Sequence, residues 1–104
     1  MKIDTGKNPC HVEKTLKIIG KKWTILIIHQ LCDGKKRFGE LQKLLVGISP
    51  RTLSLRLRTL EKFGVVKKKI FPTVPLHVEY SLTKKGLSLR SIIESMQKWG
   101  QSSG

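Results

Sequence analysis

The 104-residue chain carries 21 Lys and Arg against 7 Asp and Glu, a formal net charge of +14, on an ordinary globular composition with 38% hydrophobic residues. That length fits a single domain over 1–104 with one modest core, and the charge excess points to a polyanionic partner, nucleic acid or an anionic surface. The longest apolar run is Ile25-Leu26-Ile27-Ile28, Met1-Lys2-Ile3-Asp4 opens no secretory segment, and two cysteines are too few for a disulfide framework, so a cytoplasmic protein with no membrane partner is expected.

Residues 1–7 read as a polar N-terminal arm. Asn8-Pro9 is a helix start, with Asn as N-cap and Pro at the first helical position. Val12, Leu16, Ile19 and Trp23 recur at helical spacing, and Gly20 ends the first helix before that pattern completes. The second helix, about Lys22 to Cys32, is apolar nearly all round and is expected to be the central core helix; Asp33-Gly34 stops it. Arg37-Phe38 reads as a bridging strand or a turn. A third helix, about Phe38 to Leu45, places Phe38, Leu41, Leu44 and Leu45 on one side, and Val46-Gly47-Ile48 forms a tight turn.

Ser49-Pro50 opens a fourth helix that runs to Phe63 and is capped by Gly64. Two β-rich runs follow, Val65 to Phe71 and Val78 to Leu82. Proline near both ends of the Pro72 to His77 connection predicts a stiffened loop rather than a two-residue hairpin turn. Thr83 caps a final helix carrying Leu87, Leu89, Ile92, Ile93, Met96 and Trp99, and 101–104 should fray.

This order predicts a mainly α fold with a small β-hairpin wing: a winged helix-turn-helix, with helical dimerisation elements at both termini. At 100° per residue, Leu53, Leu57 and Leu60 face the core from the fourth helix. Its opposite side carries Arg51, Leu55, Arg58 and Lys62, flanked by Thr52, Ser54 and Thr59. With the Ser49-Pro50 start, that side is the candidate DNA reader: Arg takes a guanine edge bidentately, and hydroxyls reach bases or phosphates. The bland alternative is a solvated cationic face. Leu55 either touches a thymine methyl or is one exposed leucine among many.

Alternation along the first wing strand sends Lys67 and Lys69 to one face and Lys68 to the other. With Thr73 and His77 they are the candidate contacts to the sugar-phosphate backbone, serving affinity rather than sequence choice. Ile18, Leu89, Ile92, Ile93, Met96 and Trp99 exceed what so small a core can bury, so the terminal helices should pair in a homodimer.

Several strings together resemble the HxlR-type winged helix regulators. They are Ile19-Gly20-Lys21-Lys22-Trp23-Thr24-Ile25-Leu26-Ile27, then Arg37-Phe38-Gly39-Glu40-Leu41. Gly47-Ile48-Ser49-Pro50-Arg51-Thr52-Leu53-Ser54 and Val78-Glu79-Tyr80-Ser81-Leu82-Thr83-Lys84-Lys85-Gly86 complete the set. The resemblance covers nearly the whole chain. It implies a dimer joined through terminal helices, one helix in the major groove, wings on the flanking backbone, and in many members a sensor cysteine beside the first helix. Three departures stand out. The family often has Cys-Pro-Val-Glu where this chain has Pro9-Cys10-His11-Val12-Glu13, His77 replaces a common wing Arg or Lys, and Leu55 replaces a usually polar residue.

Cys10, at a helix start beside His11 and Lys14, is the candidate redox or electrophile sensor, with an oxidant or small-molecule effector implied; the alternative is an inert thiol. Cys32 reads as packing. Cys10, His11, His29 and Cys32 could in principle hold zinc, but neither pair has a ligand-like spacing, so no metal and no cofactor are expected. No constellation of catalytic residues is recognisable, which argues against an enzyme. The expected function is sequence-specific, homodimeric DNA binding at an inverted-repeat operator in a prokaryotic transcriptional regulator. The rival is a non-specific or architectural nucleic-acid binder, which +14 would suit equally.

Overall fold

The apolar run after Trp23 folds as α2 (Lys22–Leu31), and α1 (His11–Ile19), α3 (Phe38–Leu44), α4 (Pro50–Lys62), α6 (Arg90–Ser103) and β3 (His77–Leu82) all pack against it. The computed structural model describes residues 10–103. Ile27, Ile28 and Leu31 of α2 are sealed in one core with Leu41, Leu53, Leu57, Leu60 and Val65. Helix periodicity explains this, because the buried residues of α4 recur at intervals of three and four. In α3 the expected apolar side is only partly buried: Leu41 and Leu45 enter the core, Phe38 lies against it and Leu44 is 48% exposed.

The first described helix starts at His11, with Cys10 in the N-cap position. The expected start at Asn8-Pro9 lies outside the described residues. Gly20 closes this helix, its N–H donating to the Leu16 carbonyl at 2.7 Å.

The turn between α3 and α4 passes through Gly47 at φ +94, a backbone that favours glycine. Gly64, at φ +75, ends α4 with the paired bonds of a Schellman-type cap: its N–H donates to the Glu61 carbonyl, and that of Val65 to the Leu60 carbonyl.

The sheet has one strand more than a hairpin. Besides β2 (Val66–Phe71) and β3, the pair Lys36–Arg37 forms a short β1, and the antiparallel order is β1-β3-β2. One face is turned to the core, where Val66 and Leu82 are buried, and the other faces solvent.

The final helix departs from expectation. Thr83 caps α5 (Lys84–Leu87), but the helix ends at Ser88 and α6 begins afresh at Arg90. Just before the break the packing is tight: a Cβ at Gly86 would collide with the Val65 carbonyl and crowd Leu82. Gly86 therefore seats α5 directly against the turn after α4, and α6 packs against α2. Residues 101–103, expected to fray, continue α6 to Ser103.

Candidate nucleic-acid interface

Helix α4 begins where the Ser49 hydroxyl accepts the Thr52 N–H at 3.0 Å and donates to the Thr52 hydroxyl at 2.9 Å. Two candidate contact residues thus also build the helix start, with Pro50 at its first position. Beyond them the helix divides as its periodicity requires. Leu53, Leu57 and Leu60 are buried, whereas Arg51, Ser54, Arg58 and Lys62 are exposed on the outer side. Leu55 sits among those cations, 46% exposed, so an apolar spot interrupts the basic face. The Thr59 hydroxyl donates back to the Leu55 carbonyl at 3.0 Å.

Sequence reasoning missed Arg56. It is half-buried on the flank beside Thr52 and Thr59, and its Nε is buried without a hydrogen-bond partner among the described residues. A helical wheel puts it near the core edge, so spacing alone gives no signal for it. A buried guanidinium donor left without a partner is uncommon, and here it lies at the edge of the cationic side of α4.

The wing lysines split as alternation predicts. Lys67 pairs across the sheet with Ser81 and Lys69 with Glu79, on the outer face. Lys68 points the other way, its Nζ 3.9 Å from a carboxylate oxygen of Glu61 on α4. All three lysines are exposed. The Lys69 ammonium also lies 5.1 Å from the Phe71 ring centre, and that ring stacks on His77 at 4.5 Å. Thr73 and His77 serve the wing loop itself: the Thr73 hydroxyl donates to the Pro75 carbonyl at 2.9 Å and lies 3.2 Å from His77 Nδ1. His77 Nε2 is 3.6 Å from Glu79.

The junction between α4 and the wing is held from behind. Thr83 donates to the carbonyls of Gly64 and Val65, and the Lys85 ammonium donates to the Phe63 carbonyl at 2.8 Å. These bonds tie the end of α4 and the start of the wing to α5.

The expected dimer residues separate into two groups. Ile93, 6% exposed, belongs to the protomer's own core, and Ile18 and Leu89, half-buried, pack against that core. Ile92, Met96 and Trp99 do stand open, at 42%, 52% and 71%. Val12 and Leu16 of α1, missed as surface residues, join them at 64% and 54%. An open groove of about 450 Å³ between α1, α2 and α6 is lined by Val12, Leu16, Ile19, Ile25 and Met96.

Cys10 is half-buried, and its thiol makes no cap hydrogen bond to α1. Burial pushes the Cys32 thiol up from its ordinary pKa; nearby Arg90 opposes this, while Asp33 and Glu94 add to it. Among the described residues no group of three or more His, Cys, Asp and Glu could hold a metal ion. No described helix is long and apolar enough to cross a membrane.

Known proteins share this arrangement. The HTH-type transcriptional regulator YdeP of Bacillus subtilis (strain 168), itself uncharacterized, is 48% identical over 92 residues, 88% of this chain and 72% of its own. A structure described as a MarR-family transcriptional regulator, from Porphyromonas gingivalis W83, superposes with a TM-score of 0.92 at 39% identity, covering 100% of both chains. The oxidized form of the redox regulator HypR superposes with a TM-score of 0.86 at 43% identity, covering 91% of this chain and 98% of that one. The HxlR-like helix-turn-helix family matches residues 18–104. This chain, a winged helix-turn-helix of the DNA-binding transcription regulators, belongs to that family.

Proposed function

We propose that the protein binds an inverted-repeat operator as a homodimer, each protomer setting α4 into a major groove and its wing on the adjoining backbone. The observation that carries this reading is the division of α4: three leucines buried on one side and Arg51, Arg58 and Lys62 free on the other. An α-helix fits the major groove, and arginine supplies the bidentate donors that a guanine edge accepts. Ser54 and Leu55 complete the reading surface, and Lys67, Lys68 and Lys69 supply charge that favours any sequence equally.

Two protomers are called for by α1 and α6. From Glu94 onward every described residue of α6 is exposed, and a lone helix of that length is marginal in water. Pairing Val12, Leu16, Ile92, Met96 and Trp99 with a second copy would bury this face and set two α4 helices about one helical turn of DNA apart. Selection of duplexes from a random library tests the proposal. An enriched inverted repeat is expected, and a dimer by sedimentation. Binding without enrichment would overturn it in favour of the non-specific binder that the +14 charge also suits.

Affinity should fall steeply with salt, by on the order of 10³-fold or more between about 50 and 200 mM if at least six phosphates are engaged. Titrations at several salt concentrations check this, and a nearly flat dependence would remove the electrostatic argument.

Cys10 is the residue proposed to make binding responsive to oxidants or electrophiles. It stands at the start of α1, on the helix whose Val12 and Leu16 face the proposed partner, so added bulk or a cross-link there changes how two α4 helices are spaced. Likeness to a redox regulator supports the same reading.

A further inference from the structure

Strand alternation divides the small sheet into two chemically different faces. Toward the core it presents Val66, Tyr80 and Leu82. The other face is set by the register: Arg37 lies opposite Glu79, which lies opposite Lys69, and in the next row Ser81 lies opposite Lys67. Lys35, just before β1, reaches the same place, its Nζ 3.3 Å from Glu79. Four cations from two distant parts of the chain, Lys35, Arg37, Lys67 and Lys69, therefore share this face with Glu79, with Glu40 beside Arg37, and all four are exposed. Together with Phe71, Glu79, Ser81 and the intervening Lys68, Lys35, Lys67 and Lys69 line an open concavity of about 370 Å³.

Like charges gathered on one sheet face repel one another. Glu79 is too little to compensate them: its side chain is 18% exposed and already shared between Lys35 and His77. The cations extend about 7 Å along the strands and about 10 Å across them, from the ordinary strand rise and spacing. That extent suits a linear polyanion better than one small anion. Helix α4 packs on β2 from the other side of the sheet. The outer face is thus turned away from α4 and stands open on the far side of the sheet.

We propose that this outer sheet face, with Lys35 and Arg37 as its new members, is a second phosphate-binding surface that grips the DNA backbone flanking the segment read by α4. The proposal rests on the DNA-binding reading, but not on α4 being selective. Glu79 is its organiser: it holds Lys35 over the concavity and limits the attraction of the face for phosphate.

The test uses the whole chain and two duplexes, one ending at the footprint of α4 and the wing tips, the other extended on each side by one helical turn, about 10 base pairs. If selection returns no motif, random-sequence duplexes of the same two lengths serve. The double variant Lys35→Gln, Arg37→Gln should make the slope of log affinity against log salt shallower by about 2 on the long duplex, near one per lost phosphate contact, and leave the short one unchanged. Glu79→Gln should act in the opposite sense, tightening binding to the long duplex alone. Circular dichroism confirms that each variant is folded. An unchanged slope on the long duplex, an equal change on both, or no gain from Glu79→Gln would overturn the proposal. Failure of the unaltered protein to bind either duplex would instead sink the DNA-binding reading itself.

Discussion

Helices α4 and α6 are nearly the same length, 13 and 14 residues, and both are amphipathic, yet they stand in opposite conditions. In α4 three leucines are buried by the protomer itself and the exposed side is cationic. In α6 Ile93 is the one buried residue, and Ile92, Met96 and Trp99 stay open. The molecule is also extended. Its radius of gyration is 15.4 Å, against about 13 Å for a compact domain of some 100 residues. A charged face left open is at ease in water and waits for a polyanion, whereas an apolar face left open costs free energy until something covers it.

The comparison breaks most visibly if α6 is made polar. Met96→Glu with Trp99→Glu should leave a folded monomer, because neither side chain is buried in the protomer. Operator affinity should fall by about 10² to 10⁴-fold as the two half-sites lose their linkage. Sedimentation and binding titrations read both effects, and a variant that stays dimeric would remove α6 from the interface.

The α4 side gives a smaller and more selective effect. Arg51→Ala should cost about 1–3 kcal/mol on the operator and relax base preference at one position, with little change on random duplex. Lys68→Ala should weaken every sequence alike and only modestly, since its exposed pairing with Glu61 contributes about 0–1 kcal/mol to the fold. If both variants lower specific and random binding in the same proportion, α4 is not the reader.

The cysteines sharpen the contrast at the finest scale. Cys10→Ser should bind DNA normally but lose the response to a mild oxidant or quinone-like electrophile, an effect of about 1–3 kcal/mol in the unaltered protein. Full modification of Cys10 without any change in affinity would end its role as a switch. Cys32 should alkylate slowly near neutral pH: its raised pKa keeps the thiol protonated there, and the thiolate appears only as pH climbs past the ordinary cysteine value. Mass spectrometry of a time course at two pH values checks the order of reaction.

Much of this was legible in the chain. The leucine spacing of α4, the Ser49-Pro50 start, the Gly64 stop and the alternation of the wing lysines each follow from local rules, and each stands where those rules put it. Arg56 was not legible, because whether a flank residue keeps a free donor depends on its packing neighbours. Nor was the grouping of Lys35 and Arg37 with Lys67 and Lys69, since residues some thirty apart meet only through strand register.

The sequence by itself determined the elements, their order and the sign of the charge, because helix period, capping residues and turn glycines act within a few residues of one another. Tertiary structure decided where the last helix divides. Periodicity runs unbroken from Leu87 to Trp99, yet α5 stops at Ser88, two residues after Gly86 seats against the Val65 carbonyl. It also decided which apolar residues remain for a partner. Ile93 looks as available as Ile92 and Met96 until it enters the protomer's core, against which Ile18 and Leu89 also pack. Burial is a property of what lies opposite a side chain, and what lies opposite is fixed only when distant segments meet.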